Sequence, residues 1–388
     1  MLRVLTLSTL FPDASRPNFG IFVERQARGL AAHPDVDLRL VAPIGLPPGG
    51  LARHDHYAAL AAQPLHEEWR GLEVARPRFV ALPGTAGIFH PMMLRRALVP
   101  LLDRLFAERP FDVIDASFFF PDGPAAVALG RRYGVPVSIK ARGADIHHWG
   151  RVGATRGQVR AAGTAATGLL AVSAAMAEDM VALGLPRPRV HHTGVDLDAF
   201  VAGDRACARR ELGIDGPLVV SIGALIPRKG HDIVIDAVAA LPGVTLAIAG
   251  EGPLCDALTA QAKALGVASR IRFLGSVPHQ DLPRWLAAAD AMALASSSEG
   301  LANAWIEALA CGTPIVIPDA GGAREVVLDA DAGRIVAREP VAVRAALAEL
   351  LAQPPAPAAV RRHAERFTWA ANTAALYDHL AALARRPA

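Results

Sequence analysis

The sequence has few cysteines and no membrane-like hydrophobic run. Its three cysteines, Cys207, Cys255 and Cys311, show no ligand-like spacing, which argues against a disulfide framework and a zinc site. The longest uncharged stretch of membrane-like character, residues 161–177, contains Gly, Thr and Ser and predicts a helix end, a short strand and the next helix. The N-terminal strand pattern lacks a signal-peptide cleavage site, so we expect a cytoplasmic protein.

The signature of dinucleotide-binding enzymes is also missing. No G-x-G-x-x-G follows the strand patterns at residues 2–8 or 218–223, which argues against a nicotinamide enzyme, and we expect no cofactor. Lysine is scarce too: only Lys140, Lys229 and Lys263 occur among forty basic residues. Because the chain uses arginine at nearly all of its basic positions, a lysine in a loop such as that of Lys229 suggests a specific function.

Length and composition indicate a two-domain enzyme. The chain has 388 residues, of which 52% are hydrophobic and 20% charged, and one hydrophobic core seldom serves more than about 250 residues. Residues 1–193 carry a net charge of +6 and residues 194–388 carry −3. The basic first half suits an acidic or membrane-bound partner, and an ordinary solvated surface explains it equally well. Nothing in the sequence indicates nucleic acid as a partner.

Short apolar runs alternate with helical patterns in two rounds. Such runs predict parallel sheets covered on both faces, so the fold class is α/β with two doubly wound Rossmann-like domains facing a central cleft. The boundary is expected near residues 192–200. The predicted strands are residues 2–8, 36–41, 113–116, 135–140, 168–173, 218–223, 245–250, 271–274, 290–294 and 314–317.

Two glutamates stand eight residues apart in an otherwise uncharged stretch. Glu299 is predicted in a loop after a strand, and Glu307 about one turn inside a helix from Asn303 to Ala310, with Asn303 as its N-cap. Free N–H groups at such a helix start suit a diphosphate, and the two carboxylates suit vicinal hydroxyls. The pattern suggests a nucleotide sugar, with a solvated helix face as the alternative for Glu307.

Several segments together resemble one family, the retaining GT-B glycosyltransferases called glycosyl transferases group 1. "EGLANAWIEALACGTPIV" matches its E-x7-E signature, and "GGAREVV" matches the loop after the next strand. "VSIGALIPRKGHDIVIDAV" resembles its phosphate-binding segment, and "LGSVPHQDLPRWLAAADAMALASSSEG" its base-binding loop and the chain that follows. The resemblance covers nearly the whole chain. It implies an acceptor-binding domain at 1–193, a nucleotide-sugar-binding domain at 194–366, and a final helix at 367–388 that crosses back. The first 40 residues look similar to polysaccharide-biosynthesis members.

The resemblance also implies donor-site roles. Glu299 would contact the donor sugar, Glu307 the ribose, and Lys229 with Arg228 the diphosphate. The remaining donor-binding positions implied are Gly223, Val277, Gly300, Leu301, Ala302 and Asn303. The expected donor is UDP- or GDP-linked, and the expected reaction is hexosyl transfer with retention and without a metal ion.

The chain departs from the family pattern at two places. Ala224 stands where a phosphate-binding arginine is common. In "ARGADIHH", Arg142 occupies the position of a histidine near the reacting carbon and Asp145 the acidic position. We predict both as catalytic, together with Glu299. Arg142 can stabilise the leaving phosphate or bind an acidic acceptor, while a salt bridge between Arg142 and Asp145 is the alternative. His147 and His148 are weaker candidates.

The acceptor side is expected in the first domain, at Phe19, Gly20 and Asp122. Three D-x-D triplets, at 35–37, 196–198 and 329–331, are interpreted as chance or capping rather than as a metal site. The aromatic residues 118–120 fit a core better than a ligand. Residues 90–109 form a basic amphipathic stretch that either rests on anionic lipid or packs against the sheet.

The expected partners are therefore a nucleotide sugar, a glycan or lipid-linked acceptor in cell-surface polysaccharide synthesis, and an anionic membrane surface at the inner face. Two alternatives stay open: a GT-B sugar-nucleotide epimerase or phosphorylase, and a non-catalytic nucleotide-sugar-binding subunit. Ala224 and Arg142 motivate the second. The few lysines are poorly placed for the Schiff base that a phosphorylase needs.

Overall fold

The computed structural model describes residues 1–385. They divide into two compact units, which we call unit 1 and unit 2. Unit 1 comprises Met1–His192 together with the chain from Trp369 onward, and unit 2 comprises Thr193–Thr368. Each unit is built around its own sheet, mainly parallel in unit 1 and parallel throughout in unit 2.

Unit 1 contains an eight-stranded sheet in the order β10-β9-β8-β7-β1-β2-β5-β4 and a separate parallel pair, β3-β6. Pairing is parallel throughout the large sheet except between β5 and β4. The strands are β1 (Leu2–Leu7), β2 (Val36–Val41), β3 (Ile44–Leu46), β4 (His66–Trp69), β5 (Leu72–Ala75), β6 (Arg78–Val80), β7 (Val113–Ala116), β8 (Val137–Ala141), β9 (Gly168–Ala171) and β10 (Arg189–Val190).

Helices cover both faces of this sheet, so its central strands β7 and β8 are buried at every residue. A large core of leucine, phenylalanine and alanine side chains lies between the sheet and the helices that follow β6 and β7. The helices are α1 (Ile21–Ala31), α2 (Asp55–Ala61), α3 (His90–Glu108), α4 (Asp122–Tyr133), α5 (Gly153–Ala165) and α6 (Ala174–Ala182).

Unit 2 contains a six-stranded sheet, parallel throughout, in the order β13-β12-β11-β14-β15-β16. Its strands are β11 (Leu218–Ile222), β12 (Thr245–Ala249), β13 (Ile271–Gly275), β14 (Ala291–Ala293), β15 (Ile315–Pro318) and β16 (Gly333–Val336). Its helices are α7 (Arg205–Leu212), α8 (His231–Ala239), α9 (Cys255–Ala264), α10 (Leu282–Ala288), α11 (Asn303–Ala310), α12 (Ala323–Val326), α13 (Pro340–Ala352) and α14 (Pro357–Arg362).

The last helix, α15 (Trp369–Ala384), packs in unit 1 although it follows unit 2 in the chain. Its buried Leu376 and Leu380 share a core with Val4, Val113 and Leu170. Within residues 1–385 no helix is long and apolar enough to cross a bilayer.

The predicted α/β class with two doubly wound units is confirmed, and each of the ten predicted strands overlaps an observed one. The stretch 161–177 is confirmed as the end of α5, strand β9 and the start of α6. The sequence analysis missed the antiparallel pair β4-β5, the small β3-β6 sheet, and the edge strands β10 and β16.

Candidate active site

The E-x7-E segment lies at the carboxyl edge of the unit 2 sheet. Glu299 is in the loop after β14, and Glu307 is inside α11, as predicted. Both side chains are buried, each with 8% of its residue surface exposed. The N-cap prediction was wrong: Ala302 is the N-cap, without a side-chain hydrogen bond, and Asn303 is the first helical residue. The first N–H groups of α11 therefore have no side-chain cap.

Glu299 is held by two basic side chains. Lys229 Nζ donates to Glu299 Oε1 at 2.5 Å, and Arg228 Nη1 lies 3.4 Å from Oε2. Arg228 also donates to the Ser298 carbonyl oxygen at 2.5 Å. The predicted sugar contact and the predicted diphosphate contacts thus meet in one cluster. The backbone around Glu299 is fixed as well, since the Gly322 N–H donates to the Gly300 carbonyl oxygen at 2.8 Å.

The loop that carries Lys229 runs from Gly223, directly after β11, to Gly230 at the start of α8. His231 ties this loop to the strand, because its Nε2 lies 3.2 Å from the Gly223 carbonyl oxygen and its Nδ1 lies 2.9 Å from Ser221 Oγ. A carbonyl only accepts, so Nε2 carries the proton and Ser221 donates to Nδ1. Burial lowers the pKa of His231 to about 4, so the ring stays neutral at physiological pH.

Gly230 has a backbone φ of +67°, which disfavours residues with a side chain. A Cβ at this position would overlap the Ala295 carbonyl oxygen at the end of β14. The loop of Lys229 therefore lies directly against the chain that leads to Glu299. The glycine lets the two segments approach this closely.

Glu307 has a partner that the sequence analysis missed. His279 Nε2 lies 2.7 Å from Glu307 Oε1, and both side chains are nearly buried. The signal was present in the segment "LGSVPHQDLP", from which we took only Val277, a half-buried residue two positions earlier. A carboxylate oriented by a histidine is well suited to accept hydrogen bonds from vicinal hydroxyls.

Of the other donor-side positions, Leu301 and Ala302 are buried in the turn before α11, and Gly300 is buried beside Glu299. Ala224, the departure from the family pattern, follows Gly223 in the loop of Lys229. The two basic residues Arg228 and Lys229 remain the cations of this loop.

In unit 1, Arg142 and Asp145 lie after β8, but they do not form the salt bridge that we considered. The Asp145 carboxylate accepts the backbone N–H groups of Arg142, Gly143 and Phe119 at 2.7–3.1 Å. The Arg142 guanidinium donates elsewhere. Burial raises the pKa of Asp145, which is fully enclosed and holds the loop, and its catalytic role stays a prediction.

The two histidines after Asp145 differ in their surroundings. His147 Nε2 lies 2.8 Å from Asp179 Oδ2, and His148 is exposed with its ring 4.8 Å from that of Trp149. In the aromatic run before α4, Phe119 and Phe120 are fully buried in the core, as expected, while Phe118 is half-buried.

The predicted acceptor residues are only partly accessible. Phe19 is 37% exposed, and the Arg16 guanidinium lies 4.3 Å above its ring. Gly20 has φ +72°, and a Cβ there would lie 2.6 Å from the Leu10 carbonyl oxygen, so the loop's own packing requires glycine. Asp122 is fully buried.

The buried Asp122 carboxylate accepts the Thr9 N–H at 2.8 Å through Oδ2. Within residues 1–385 its Oδ1 has no hydrogen-bond partner. Burial raises the pKa of Asp122 to about 7. Direct contact with an acceptor therefore requires movement of the surrounding loop.

Aspartates of the D-x-D triplets make local contacts. Asp196 Oδ1 accepts the N–H groups of Asp198 and Ala199, and Asp329 Oδ1 accepts that of Asp331. Asp37 pairs with Arg109 at 2.9 Å. In the part of the chain that the structure describes, no three His, Cys, Asp or Glu side chains are grouped as a metal site would require.

Two family models match adjacent parts of the chain. Residues 21–199 match the model described as Glycosyltransferase Family 4, and residues 204–367 match the one described as Glycosyl transferases group 1. D-inositol 3-phosphate glycosyltransferases from Mycobacterium tuberculosis and Mycobacterium bovis are 40% identical to this chain over 202 residues. The match covers 48% of this chain and 42% of those relatives, so the chain spans less than half of their length.

Solved structures with the same fold cover nearly the whole chain. Sucrose-phosphate synthase from Thermosynechococcus elongatus has a TM-score of 0.81 at 19% identity, covering 98% of this chain and all of its own. HepE from Anabaena, in complex with UDP and glucose, has a TM-score of 0.73 at 20% identity, covering 99% of this chain and all of its own. At these identities the likeness establishes the fold.

Proposed function

Because the chain belongs to the glycosyl transferases group 1 family, which has the GT-B fold, we propose that it transfers a hexose from a nucleotide sugar to a glycan or lipid-linked acceptor. The donor is UDP- or GDP-linked, and the reaction serves cell-surface polysaccharide synthesis. One observation carries the donor side of this proposal: Glu299, Lys229 and Arg228 form one cluster, with Glu307 in the helix that follows.

The cluster suits a sugar diphosphate. Lys229 and Arg228 supply positive charge for the diphosphate, while Glu299 accepts hydrogen bonds from sugar hydroxyls and Glu307 from the ribose. The uncapped first turn of α11 adds N–H donors. HepE, a structural relative, was solved with UDP and with UDP-glucose, which agrees with a uridine donor.

We propose a front-face mechanism with retention at the anomeric carbon. The bond from this carbon to the diphosphate oxygen breaks, an acceptor hydroxyl attacks the same face, and the departing diphosphate takes the hydroxyl proton. Catalysis then consists of positioning and charge stabilisation rather than covalent chemistry by a side chain. The Lys229 ammonium is the group best placed to stabilise the charge that develops on the leaving oxygen.

The same two cations supply the charge that a metal ion would otherwise provide. We expect transfer to survive EDTA, because Lys229 and Arg228 neutralise the diphosphate. The measurement is turnover with and without chelator, with EDTA-treated protein supplemented by magnesium or manganese as the control. Loss of activity that either metal restores would contradict metal independence.

On the acceptor side we propose transient binding to an anionic membrane. The buried residues Leu94, Leu98 and Leu102 of α3 pack in the core. The apolar side of this helix therefore packs against the sheet, which was one of the two alternatives for residues 90–109. The opposite face exposes Arg95 and Arg96. Next to them Ile88, Phe89 and Met92 are also exposed, and such a combination of apolar and basic side chains favours an anionic lipid surface.

The direct test is a screen of UDP- and GDP-sugars for thermal stabilisation, followed by hydrolysis of the stabilising donor without acceptor. We expect one donor to raise the melting temperature and to be hydrolysed slowly. Binding without hydrolysis or transfer would favour a non-catalytic nucleotide-sugar-binding subunit, the alternative that Ala224 and Arg142 motivate. Release of an epimerised sugar would favour an epimerase.

A further inference from the structure

The Arg142 guanidinium is a half-buried charge that no carboxylate of the described chain contacts, although Asp115 and Asp145 act on it from further away. Its Nε donates to the Ser117 carbonyl oxygen at 2.5 Å, and its Nη2 donates to Gln26 Oε1 at 3.1 Å. Both acceptors are uncharged. Across residues 1–385 no ion pair includes this guanidinium, and its remaining terminal nitrogen, Nη1, has no hydrogen-bond acceptor. Buried charges are normally paired, as Arg76 is with Glu67.

A second cationic side chain converges on the same amide. Lys140 is fully buried, and its Nζ lies 3.0 Å from Gln26 Oε1 and 2.9 Å from His191 Nδ1. His191 Nε2 donates to the Asn372 carbonyl oxygen at 2.9 Å, so Nδ1 accepts from Lys140. Burial and the nearby charge of Arg142 lower the pKa of Lys140 well below its usual value, while Asp115 opposes this shift.

Gln26 stands where a carboxylate would complete a salt bridge to both side chains. Its Nε2 donates to Ser117 Oγ at 3.2 Å, which orients Oε1 toward Arg142 and Lys140. The carboxylate of Asp115 is one step further away, because it accepts from Ser117 Oγ at 3.1 Å. The side chain in contact with Arg142 is thus a neutral isostere of glutamate, so no carboxylate among the described residues forms an ion pair with the guanidinium.

The position of this charge suits a ligand. Arg142 follows β8 at the carboxyl edge of the unit 1 sheet, where ligands bind in doubly wound folds. The Phe22 ring lies 4.9 Å from its Cζ and supports the plane of the guanidinium. Burial lowers the pKa of Arg142 to about 10, so the group stays charged at neutral pH.

We propose that Arg142 binds an oxyanion of the acceptor, a phosphate or a carboxylate, through Nη1, and that Gln26 and Lys140 are positioning residues that hold the guanidinium without neutralising it. This inference deepens the proposed function and rests on it, since it concerns the acceptor of the same reaction. It makes the acceptor an anionic sugar or sugar phosphate rather than a neutral glycan.

The test measures binding of inorganic phosphate and of glucuronate to the full chain by calorimetry, with a saturating nucleoside diphosphate present to occupy unit 2. We expect Arg142→Gln and Gln26→Glu each to weaken binding of the preferred anion at least tenfold. Arg142→Lys should lower the affinity for the anion by less than Arg142→Gln does. Lysine keeps the positive charge but lacks the paired N–H donors of the guanidinium. Arg131→Gln removes an exposed arginine from α4 and should bind like wild type.

Gln26→Glu distinguishes a binding site from a merely structural network. The new carboxylate can pair with Arg142 and Lys140, so the variant should melt no lower than wild type while losing the anion. Phosphate and glucuronate bound equally by wild type and Arg142→Gln would overturn the proposal, as would no measurable binding of either anion by wild type. Binding of the nucleoside diphosphate, measured separately, reports on the proposed function, so the two failures are distinguishable.

Discussion

Glu299 and Lys229 form an ion pair, so a bound donor diphosphate would compete with Glu299 for the Lys229 ammonium. Because the Glu299 carboxylate lies 2.5 Å from Lys229 and 3.4 Å from Arg228, a diphosphate must compete with it for both cations. We expect Glu299→Gln to bind UDP or GDP about threefold to tenfold more tightly, on the order of 1 kcal/mol. Transfer should fall at the same time, because the variant loses the carboxylate that we propose accepts hydrogen bonds from the sugar hydroxyls. Calorimetry and steady-state kinetics measure the two effects.

The control for this prediction is Glu349→Gln, which removes one carboxylate from an exposed ion pair with Arg334. It should leave both affinity and turnover unchanged. Weaker nucleotide binding by Glu299→Gln would show that the carboxylate does not compete with the diphosphate.

We propose that Glu307 binds the ribose of the donor. We expect Glu307→Ala to weaken nucleoside diphosphate binding by roughly 1.5–3 kcal/mol, the usual cost of a lost hydrogen bond to a charged group. The wild-type partner His279, 2.7 Å away, would lose its acceptor as well. Calorimetry with the nucleoside diphosphate that stabilises wild type is the measurement.

Pyrophosphate supplies the control, since it lacks a ribose and should bind Glu307→Ala as tightly as wild type. A variant that binds the nucleoside diphosphate with unchanged affinity would refute the ribose assignment.

At the scale of elements, the turn from β11 into α8 sets the position of Lys229. Gly230→Ala should lower the melting temperature by several degrees and weaken nucleotide binding, because φ +67° disfavours alanine and its Cβ would overlap the Ala295 carbonyl oxygen. The strain alone is worth about 1–2 kcal/mol. Differential scanning calorimetry, followed by nucleotide titration, checks both effects.

Gly213 offers a matched control for that substitution. It has φ +60° at the end of α7, but no atom lies within 4 Å of the place where a Cβ would be. Gly213→Ala therefore carries the backbone strain without the overlap. Equal destabilisation by the two substitutions, with nucleotide affinity intact, would contradict a role for the close approach at Gly230.

Elements with strong local patterns were predictable, and contacts between distant elements were not. The strand before Glu299 and the helix over Asn303–Ala310 follow from an apolar run and from the Gly312 and Pro314 stop. The pair β4-β5 was missed because "HEEW" and "LEVA" lack a long apolar run. Gln26 and His279 were missed because their partners lie 116 and 28 residues away along the chain.

At the scale of the whole molecule, the charge asymmetry leads us to propose a contact with anionic membranes in unit 1. The basic face of α3 in unit 1 should bind anionic liposomes at low salt and release them at high salt, since each basic residue contributes about 1 kcal/mol and salt screens it. Arg95→Glu/Arg96→Glu should lower recovery in co-sedimentation severalfold.

Arg210→Glu/Arg344→Glu makes the same change of charge at exposed positions of unit 2 and should sediment like wild type. Equal recovery on neutral and anionic liposomes would leave a soluble acceptor as the better interpretation.

The placement of α15 sets an order for folding during synthesis. Unit 2 is one continuous segment, so its core can close as soon as Thr368 leaves the ribosome. Unit 1 is synthesised first but completes its core later, because Leu376 and Leu380 of α15 pack against Val4 and Val113. Unit 1 is therefore the last to complete its core, and a chain that ends before α15 would leave Val4 and Val113 without these leucine contacts.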